Sequence, residues 1–298
     1  MSSSPKPKLL WLQSITCNGN THSFLNHPDL FSILSHFEMI HHPVLEGSAT
    51  MQDVLAGAVD CDVLILEGSF KEEGFLKAGV EVSSLIHTYA NKAKYIITAG
   101  TCATFGGIFK QNDPENISGL CFDIEEKTSR YVRYAPKLIS LPGCPMHPKW
   151  MSYVLLMLSH GKKIEIDNLH RPVELYGYTV HTGCTRNEYF EWKIDTENYG
   201  FKEGCLFYEQ GCQGPYTRGS CNKILWNDTS SKTRVGTPCF GCTEPAFPRI
   251  SLHKTKTNMG IPAKMPMGVP RRAYLTLTGV VKSFKIKRFS ERLMEYDK

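Results

Sequence analysis

The chain has 298 residues, of which 41% are hydrophobic and 21% charged, and its formal net charge at pH 7 is +5. This length predicts about two domains with a real buried core. A small positive charge spread over so many residues argues against nucleic acid as the main partner. No apolar run of about 18 residues occurs, so no transmembrane helix is expected.

The first residues lack the features of an export signal. Residues 1–15 contain no apolar stretch of the kind that a signal peptide needs, and no arginine precedes Arg130. Neither a Sec nor a twin-arginine signal is therefore recognisable, and we expect a cytoplasmic protein. In that compartment, the eleven cysteines favour metal ligation over a disulfide framework.

Short apolar runs and helical patterns alternate through the first half of the chain. The apolar runs are Lys8–Gln13, Asp62–Leu66, Tyr95–Ala99 and Lys137–Leu141. Runs that are apolar on both faces predict strands of a parallel sheet covered by helices. The predicted helices are Ser23–Phe37, Val80–Lys92 and Pro148–His160. This alternation is typical of a doubly wound α/β domain, here over residues 1–165.

Three cysteines follow three of these predicted strands. Cys17, Cys102 and Cys144 each come within five residues of a strand end. Loops at the carboxyl ends of parallel strands line one crevice, so we expect these thiols to converge, with Glu67 near them. The alternative is three separate buried thiols, since free cysteine is a common core residue.

The second half is predicted to be irregular. Polar residues 161–174 predict a linker, followed by a cysteine-rich domain over residues 166–265 and a C-terminal tail over residues 266–298. From Lys282 onward the tail carries six basic and three acidic residues. That composition predicts a solvated end, with contact to a partner or an anionic membrane face as the alternative.

Cysteines dominate the middle of this second half. Five of them lie within the 38 residues from Cys205 to Cys242, and His181 and Cys184 stand three positions apart upstream. Many glycines and prolines surround them and leave little apolar material for a core. Metal ligation is therefore expected to hold the segment together.

Zinc and iron–sulfur clusters are the two candidate metal groups. A single zinc site could combine the pair His181 and Cys184 with the pair Cys239 and Cys242. That site leaves three cysteines unused, namely Cys205, Cys212 and Cys221. Iron–sulfur clusters use the cysteines more completely.

The loop after the first strand allows another interpretation of the α/β domain. Residues 16–21 read TCNGNT and are similar to the Gly-Asn-Thr phosphate loop of flavodoxins. Backbone amides at a helix N-terminus bind phosphate. A flavodoxin-like FMN electron carrier is therefore an alternative, although it leaves the later cysteines unexplained.

Six motifs in a single order resemble the small subunit of nickel–iron hydrogenases. They are WLQ-x-x-x-C-x-G at 11–19, AGTCATFGG at 99–107, LPGCP at 141–145, H-x-x-C at 181–184, GC-x5-GC-x-GP at 204–215 and PC-x-GC-x-EP at 238–245. The related complex I subunit shares only the first domain. The downstream motifs therefore favour the hydrogenase family.

The resemblance implies a flavodoxin-like domain, then a loop-rich domain, and three iron–sulfur clusters. The implied ligands are Cys17, Cys102 and Cys144 for a proximal cluster, Cys221, Cys239 and Cys242 for a medial 3Fe-4S cluster, and His181, Cys184, Cys205 and Cys212 for a distal 4Fe-4S cluster. Cys61 and Cys121 match no motif and are expected to be ordinary thiols.

Asn20 is a departure from the family pattern. It stands where most relatives have a fourth proximal cysteine, and in this respect the chain resembles the non-exported uptake branch. Asn20 is therefore a candidate proximal ligand. A neutral amide in place of a thiolate removes a negative charge, which should raise the reduction potential of a 4Fe-4S cluster. The alternative is the loss of one iron, which leaves a proximal 3Fe-4S cluster.

The resemblance implies hydrogen oxidation with no catalytic residue in this chain. A nickel site of the family needs two Cys-x-x-Cys pairs, so H2 is expected to be split in a large subunit that carries the Ni–Fe site. This chain would pass electrons through three clusters to a quinone or a redox protein, in the cytoplasm or on the cytoplasmic face of the membrane. The alternative within the family is the small subunit of an H2-sensing regulatory hydrogenase.

Overall fold

The structure is a computed structural model that describes residues 5–122, 132–196 and 198–248, together with residue 276. Contacts between residues divide the chain into two units. The described part of the first unit comprises residues 5–177 and 242–248, and residues 178–241 belong to the second. The boundaries predicted at residues 165 and 265 stay predictions, and the basic tail from Lys282 lies outside the described residues.

A five-stranded parallel sheet forms the centre of the first unit. Its strands are β1 (Lys8–Gln13), β2 (Glu38–His41), β3 (Val63–Glu67), β4 (Tyr95–Ala99) and β5 (Leu138–Leu141). The order across the sheet is β2-β1-β3-β4-β5, and all neighbouring strands are parallel. This is the flavodoxin-like order. The predicted doubly wound fold is confirmed.

The sequence pattern did not indicate β2. This strand lies at the edge of the sheet, and Ile40 is the residue in it that is buried. An edge strand contacts only one neighbour, so it does not need the continuous apolar run that revealed the other four strands.

The helices of the first unit lie between the strands along the chain or follow the last strand. They are α1 (Gly19–Leu25), α2 (Leu30–Leu34), α3 (Met51–Leu55), α4 (Val82–Lys92), α5 (Gly100–Phe105), α6 (Gly107–Asn112), α7 (Pro148–Ser159), α8 (Val173–Tyr176) and a 3-10 helix at Val132–Lys137. Two antiparallel pairs of short strands join Phe70–Lys71 to Ile117–Ser118 and Leu76–Lys77 to Val80–Glu81. No helix within the described ranges combines the length and hydropathy that crossing a membrane requires.

The single helix predicted over Ser23–Phe37 is wrong, because the chain forms α1 and α2 there. Pro28 stands between them, and proline has no N–H to donate and disfavours a helical residue before it. The imidazole of His27 accepts a hydrogen bond from the backbone N–H of Asp29 at 3.0 Å. The break is therefore a defined turn.

Helices cover both faces of the sheet, as the apolar strands require. On one face, Leu10, Leu64 and Ile96 belong to a core that also contains residues of α4. On the other face, Trp11 stacks on Phe24 of α1, with ring centroids 5.7 Å apart. The loops that carry the cysteines follow the carboxyl ends of these packed strands.

Residues 161–174 were predicted to be a linker, but they belong to the first unit. Arg171 is buried, and its guanidinium contacts the carboxylates of Asp167 at 2.9 Å and Glu244 at 3.3 Å. Leu169 is buried as well. A buried arginine needs fixed acidic partners, so this segment is anchored to the domain.

The second unit is rich in loops, as predicted. Its helices in the described range are a 3-10 helix at Val180–Gly183, α9 (Asn187–Glu191) and a 3-10 helix at Gly214–Tyr216. Its core cluster consists of Val180, Leu206, Phe207 and three cysteines, Cys205, Cys212 and Cys239. A core with so few buried apolar residues contributes little stability by itself.

Replacing a core leucine tests this packing. Leu64 is fully buried, whereas Leu76 is 56% exposed. We expect Leu64→Ala to lower the free energy of unfolding by about 2–5 kcal/mol, because it leaves a cavity. The control Leu76→Ala should change it by less than about 0.5 kcal/mol. Urea unfolding measures both, and equal effects would contradict the core assignment.

Candidate metal centres

The carboxyl edge of the sheet carries the first group of candidate residues. Cys17 and Cys144 are exposed and Cys102 is partly buried. Burial raises the pKa of the Cys102 thiol to about 11, and the nearby thiols of Cys144 and Cys17 add to this increase. The structure thus brings together the three thiols that the strand-end pattern predicted to converge.

Glycines keep side chains away from two of these sulfurs. A Cβ at Gly107 would lie 2.7 Å from Sγ of Cys102, and a Cβ at Gly19 would lie 3.2 Å from Sγ of Cys17. Gly107 also has a positive φ of 50°, which favours glycine. The two glycines therefore let the backbone approach the sulfurs more closely than a residue with a side chain would allow.

The carboxylate of Glu67 organises the loop between β1 and α1. Glu67 is fully buried, and its Oε1 accepts hydrogen bonds from the backbone N–H groups of Asn20 at 3.0 Å and Thr21 at 3.1 Å. Its Oε2 accepts from the side chains of Trp11, Gln13 and Thr21. The negative charge therefore lies at the start of α1, where backbone N–H groups lack helical partners.

This arrangement contradicts the FMN interpretation of the same loop. In a phosphate loop, the amides of Asn20 and Thr21 would bind phosphate. Here both amides already donate to the carboxylate of Glu67. A second anion at this position would be repelled by the buried carboxylate.

Asn20 is buried and joins two of the candidate loops. Its Oδ1 accepts a hydrogen bond from the backbone N–H of Met146 at 2.9 Å, two residues after Cys144. The side-chain amide of Asn20 packs against Gly100. A Cβ at position 100 would lie only 2.4 Å from Nδ2 of Asn20. Asn20 thus ties the Cys144 loop to α1 through a contact that needs no metal. Its role as a ligand stays a prediction.

A pocket in the second unit brings together the second group of candidates. Its lining includes His181, Cys184, Cys205 and Cys212. Burial raises the pKa of the Cys205 and Cys212 thiols to about 12. Thiols that are so difficult to ionise become thiolate ligands when a metal supplies the compensating positive charge.

Backbone amides point at the sulfurs of this pocket. The N–H groups of Cys239 and Gly214 donate to Sγ of Cys212 at 3.3 and 3.5 Å. The N–H of Arg186 donates to Sγ of Cys184 at 3.4 Å. Such bonds stabilise thiolates and tune the potential of iron–sulfur clusters. The set of sulfur and nitrogen donors fits a cluster.

His181 supplies the nitrogen of this group. Burial lowers its pKa; the carboxylate of Glu191 raises it, and the ammonium of Lys193 lowers it. A neutral imidazole has a lone pair available for a metal. The ring of Phe190 packs edge-on against His181, with centroids 4.6 Å apart, and holds its orientation.

The third predicted group is divided between the two units. Cys221 and Cys239 belong to the second unit and Cys242 to the first. Burial raises the pKa of the Cys239 thiol to about 12. In the first unit, the Thr101 hydroxyl donates to the backbone carbonyl of Cys242, a contact that the sequence did not reveal.

The single zinc site has no support in the side-chain distances. Among the described residues, no three Cys, His, Asp or Glu side chains approach closely enough to hold one metal ion. In an iron–sulfur cluster, each ligand binds a different iron atom, so its ligands lie farther apart.

Cys61 and Cys121, which match no motif, lie in the core of the first unit. Burial raises the pKa of both thiols to about 12. These thiols stay protonated at neutral pH and behave as small apolar residues.

Comparisons with known proteins identify the family. Residues 176–253 match the model for the C-terminal part of the NiFe/NiFeSe hydrogenase small subunit, and residues 17–158 match that for the 20 Kd subunit of NADH ubiquinone oxidoreductase. The periplasmic [NiFe] hydrogenase small subunit 1 of Nitratidesulfovibrio vulgaris is 30% identical over 264 residues, which are 83% of this chain and 81% of that protein. This chain belongs to the small-subunit family of nickel–iron hydrogenases.

A second relative and a solved structure are also similar to this chain. The uptake hydrogenase small subunit of Azotobacter vinelandii is 24% identical over 312 residues, with 94% of this chain and 85% of that protein covered. The actinobacterial-type NiFe-hydrogenase of Ralstonia eutropha H16 shares the fold, with a TM-score of 0.73, 23% identity and coverage of 98% and 96%.

Membership of this family defines the role of the chain. Small subunits of the family carry iron–sulfur clusters and pair with a large subunit that bears nickel and iron. This chain is therefore the electron-transferring subunit of an oxidoreductase that acts on H2.

The contacts of Glu67 generate a stability prediction. Glu67→Gln turns one accepting oxygen into an NH2 group that faces N–H donors, so we expect the free energy of unfolding to fall by about 1–3 kcal/mol. The exposed residue Glu46 provides the control, Glu46→Gln, which should be nearly neutral. Urea unfolding of both variants is the measurement, and a neutral Glu67→Gln would refute the organising role.

Proposed function

We propose that this chain conducts single electrons from a nickel–iron large subunit, through three clusters of defined type, to an acceptor outside the complex. The proposed ligands are Cys17, Cys102 and Cys144 with Asn20 in the fourth position of the proximal cluster, Cys221, Cys239 and Cys242 for a medial 3Fe-4S cluster, and His181, Cys184, Cys205 and Cys212 for a distal 4Fe-4S cluster.

Hydrogen bonds that join neighbouring ligand groups carry this proposal. In the first unit, the hydroxyl of Thr101, which precedes Cys102, donates to the carbonyl of Cys242. The same hydroxyl accepts from the N–H of Gly143, which precedes Cys144, at 2.9 Å. Thr101 therefore links the residues next to two proposed proximal ligands to the backbone of a proposed medial ligand.

A second link lies within the other unit. The N–H of Cys239, a proposed medial ligand, donates to Sγ of Cys212, a proposed distal ligand, at 3.3 Å. Cys239 and Cys242 are three positions apart in the chain. These bonds support a relay in the order proximal, medial, distal.

Bound iron–sulfur clusters accept and release one electron at a time, at potentials set by charge, hydrogen bonds and exposure. The chain supplies the surroundings that set those potentials. Backbone amides donate to Sγ of Cys184 and Cys212, and His181 replaces a charged thiolate with a neutral nitrogen. Burial of Cys205, Cys212 and Cys239 excludes water from their sulfurs.

We propose a cytoplasmic location for the complex, as the resemblance to the non-exported uptake branch at Asn20 implies. The proposed acceptor is a quinone or a redox protein that docks near the distal group, where His181 and Cys184 are only partly buried. Contact of the basic tail with an anionic membrane face would bring the complex to a quinone.

Metal analysis of the complex purified with its large subunit tests the proposal. We expect iron and acid-labile sulfide in amounts that three clusters require, and nickel from the large subunit. Cys184→Ala should lose the iron of one cluster, whereas the matched variant Cys61→Ala, which removes a core thiol, should keep all of it. Zinc without sulfide would refute the cluster assignment, and sustained dye reduction under hydrogen separates the enzyme from the H2-sensing alternative.

The Asn20→Cys variant tests the proximal site. A fourth thiolate adds negative charge, so we expect a lower proximal reduction potential, with about 59 mV for each tenfold change in the one-electron equilibrium. A redox titration followed by EPR measures it, and the iron count of the wild type shows whether the cluster is 4Fe-4S or 3Fe-4S. Asn20→Ala, which loses the Met146 contact without adding charge, is the control. Equal potentials in Asn20→Cys and Asn20→Ala would contradict the charge argument.

A further inference from the structure

Arg186 is a buried cation in the second unit. It lies two residues after Cys184 and is 3% exposed. Its Nε, Nη1 and Nη2 donate to the backbone carbonyls of Thr233, Gly204 and Phe201 at 2.7, 2.6 and 2.5 Å. These bonds satisfy three of the five N–H donors of the guanidinium, and all three acceptors are uncharged carbonyls.

A buried charge requires compensation, because removing an ion from water is costly. The groups around Arg186 that can carry negative charge are the thiols of Cys184, Cys205 and Cys212 and the carboxylate of Glu203. Arg186 also lines the pocket in which these three thiols meet.

We propose that Arg186 is the fixed counter-charge of the distal cluster and raises its reduction potential. This inference rests on the proposed function. It adds a residue that helps to set the reduction potential of the distal cluster, from which electrons would leave the chain. With three thiolates and a neutral His181, a 4Fe-4S cluster carries a single negative charge when oxidised. Reduction adds one electron from the medial cluster and no proton, which doubles that charge. A permanent buried cation favours the more negative form.

Lys193 provides a contrast within the same group. Its Nζ lies over the rings of Phe190 at 4.5 Å and Tyr208 at 5.4 Å, and the residue is only partly buried. Water and salt screen an exposed charge far more than a buried one. Removing the charge of Lys193 should therefore change the distal potential much less than removing that of Arg186.

A purely structural role for Arg186 makes a different prediction. Its hydrogen bonds tie together the backbone at Phe201, Gly204 and Thr233, so a structural role depends on the donor fork of arginine. Arg186→Lys keeps the charge and loses the fork. Arg186→Gln keeps an N–H donor and loses the charge. The two variants separate charge from hydrogen bonding.

The experiment is a redox titration, followed by EPR, of the complex purified with its large subunit. For Arg186→Gln we expect the ratio of reduced to oxidised distal cluster at a fixed potential to fall about tenfold, a decrease of about 59 mV. For Arg186→Lys and Lys193→Gln we expect less than half of that shift. The proximal signal, whose ligands lie in the other unit, should stay unchanged in all three.

Equal shifts in Arg186→Gln and Arg186→Lys, or no shift in either, would overturn the inference while leaving the relay intact. A wild-type complex without a distal signal would instead overturn the proposed function itself. If the arginine variants do not assemble with the large subunit, the distal potential is measured in Glu203→Gln instead. This variant leaves the bonds of Arg186 in place and removes a neighbouring negative charge, so the distal potential should rise; an unchanged or lower value would refute the inference.

Discussion

The carboxylate of Glu67 is the interaction on which the cysteine-bearing edge of the sheet depends. It is buried at the end of β3 and accepts hydrogen bonds from five donors, two of them backbone N–H groups at the start of α1. Because β1, β3 and the β1–α1 loop all meet at this carboxylate, the position of Cys17 follows from it. The same charge excludes a phosphate and so distinguishes this loop from the flavodoxin loop that it resembles in sequence.

Each unit therefore places a buried charge beside a group of cysteines, but the signs differ. Beside the group at the edge of the sheet the charge is the carboxylate of Glu67, and beside the group in the second unit it is the guanidinium of Arg186. A negative charge disfavours an added electron and a positive charge favours it. In the proposed relay, Glu67 would lower the reduction potential of the proximal cluster and Arg186 would raise that of the distal cluster. Electrons would therefore be held more favourably at the distal cluster.

The sequence predicted those features that depend on local pattern. Four strands were visible because a central parallel strand is apolar on both faces, whereas the edge strand β2 lacks that signal. The break at Pro28 could have been predicted from its proline alone. The convergence of Cys17, Cys102 and Cys144 followed from the topology of parallel sheets.

Contacts between distant residues were not predictable in this way. Thr101 bonds to Cys242, which is 141 positions away, and no local pattern encodes that pair. Arg186 stands two residues after a cysteine, but its burial and its carbonyl partners depend on how the loops of the second unit fold. Such residues form the surroundings of the candidate ligands.

The most direct test of the central claim is EPR spectroscopy of the intact complex during stepwise reduction. We expect three separate iron–sulfur signals that respond at different potentials, including one of the 3Fe type in the oxidised state. A complex that contains the large subunit but stays colourless and free of iron in this chain would contradict that claim.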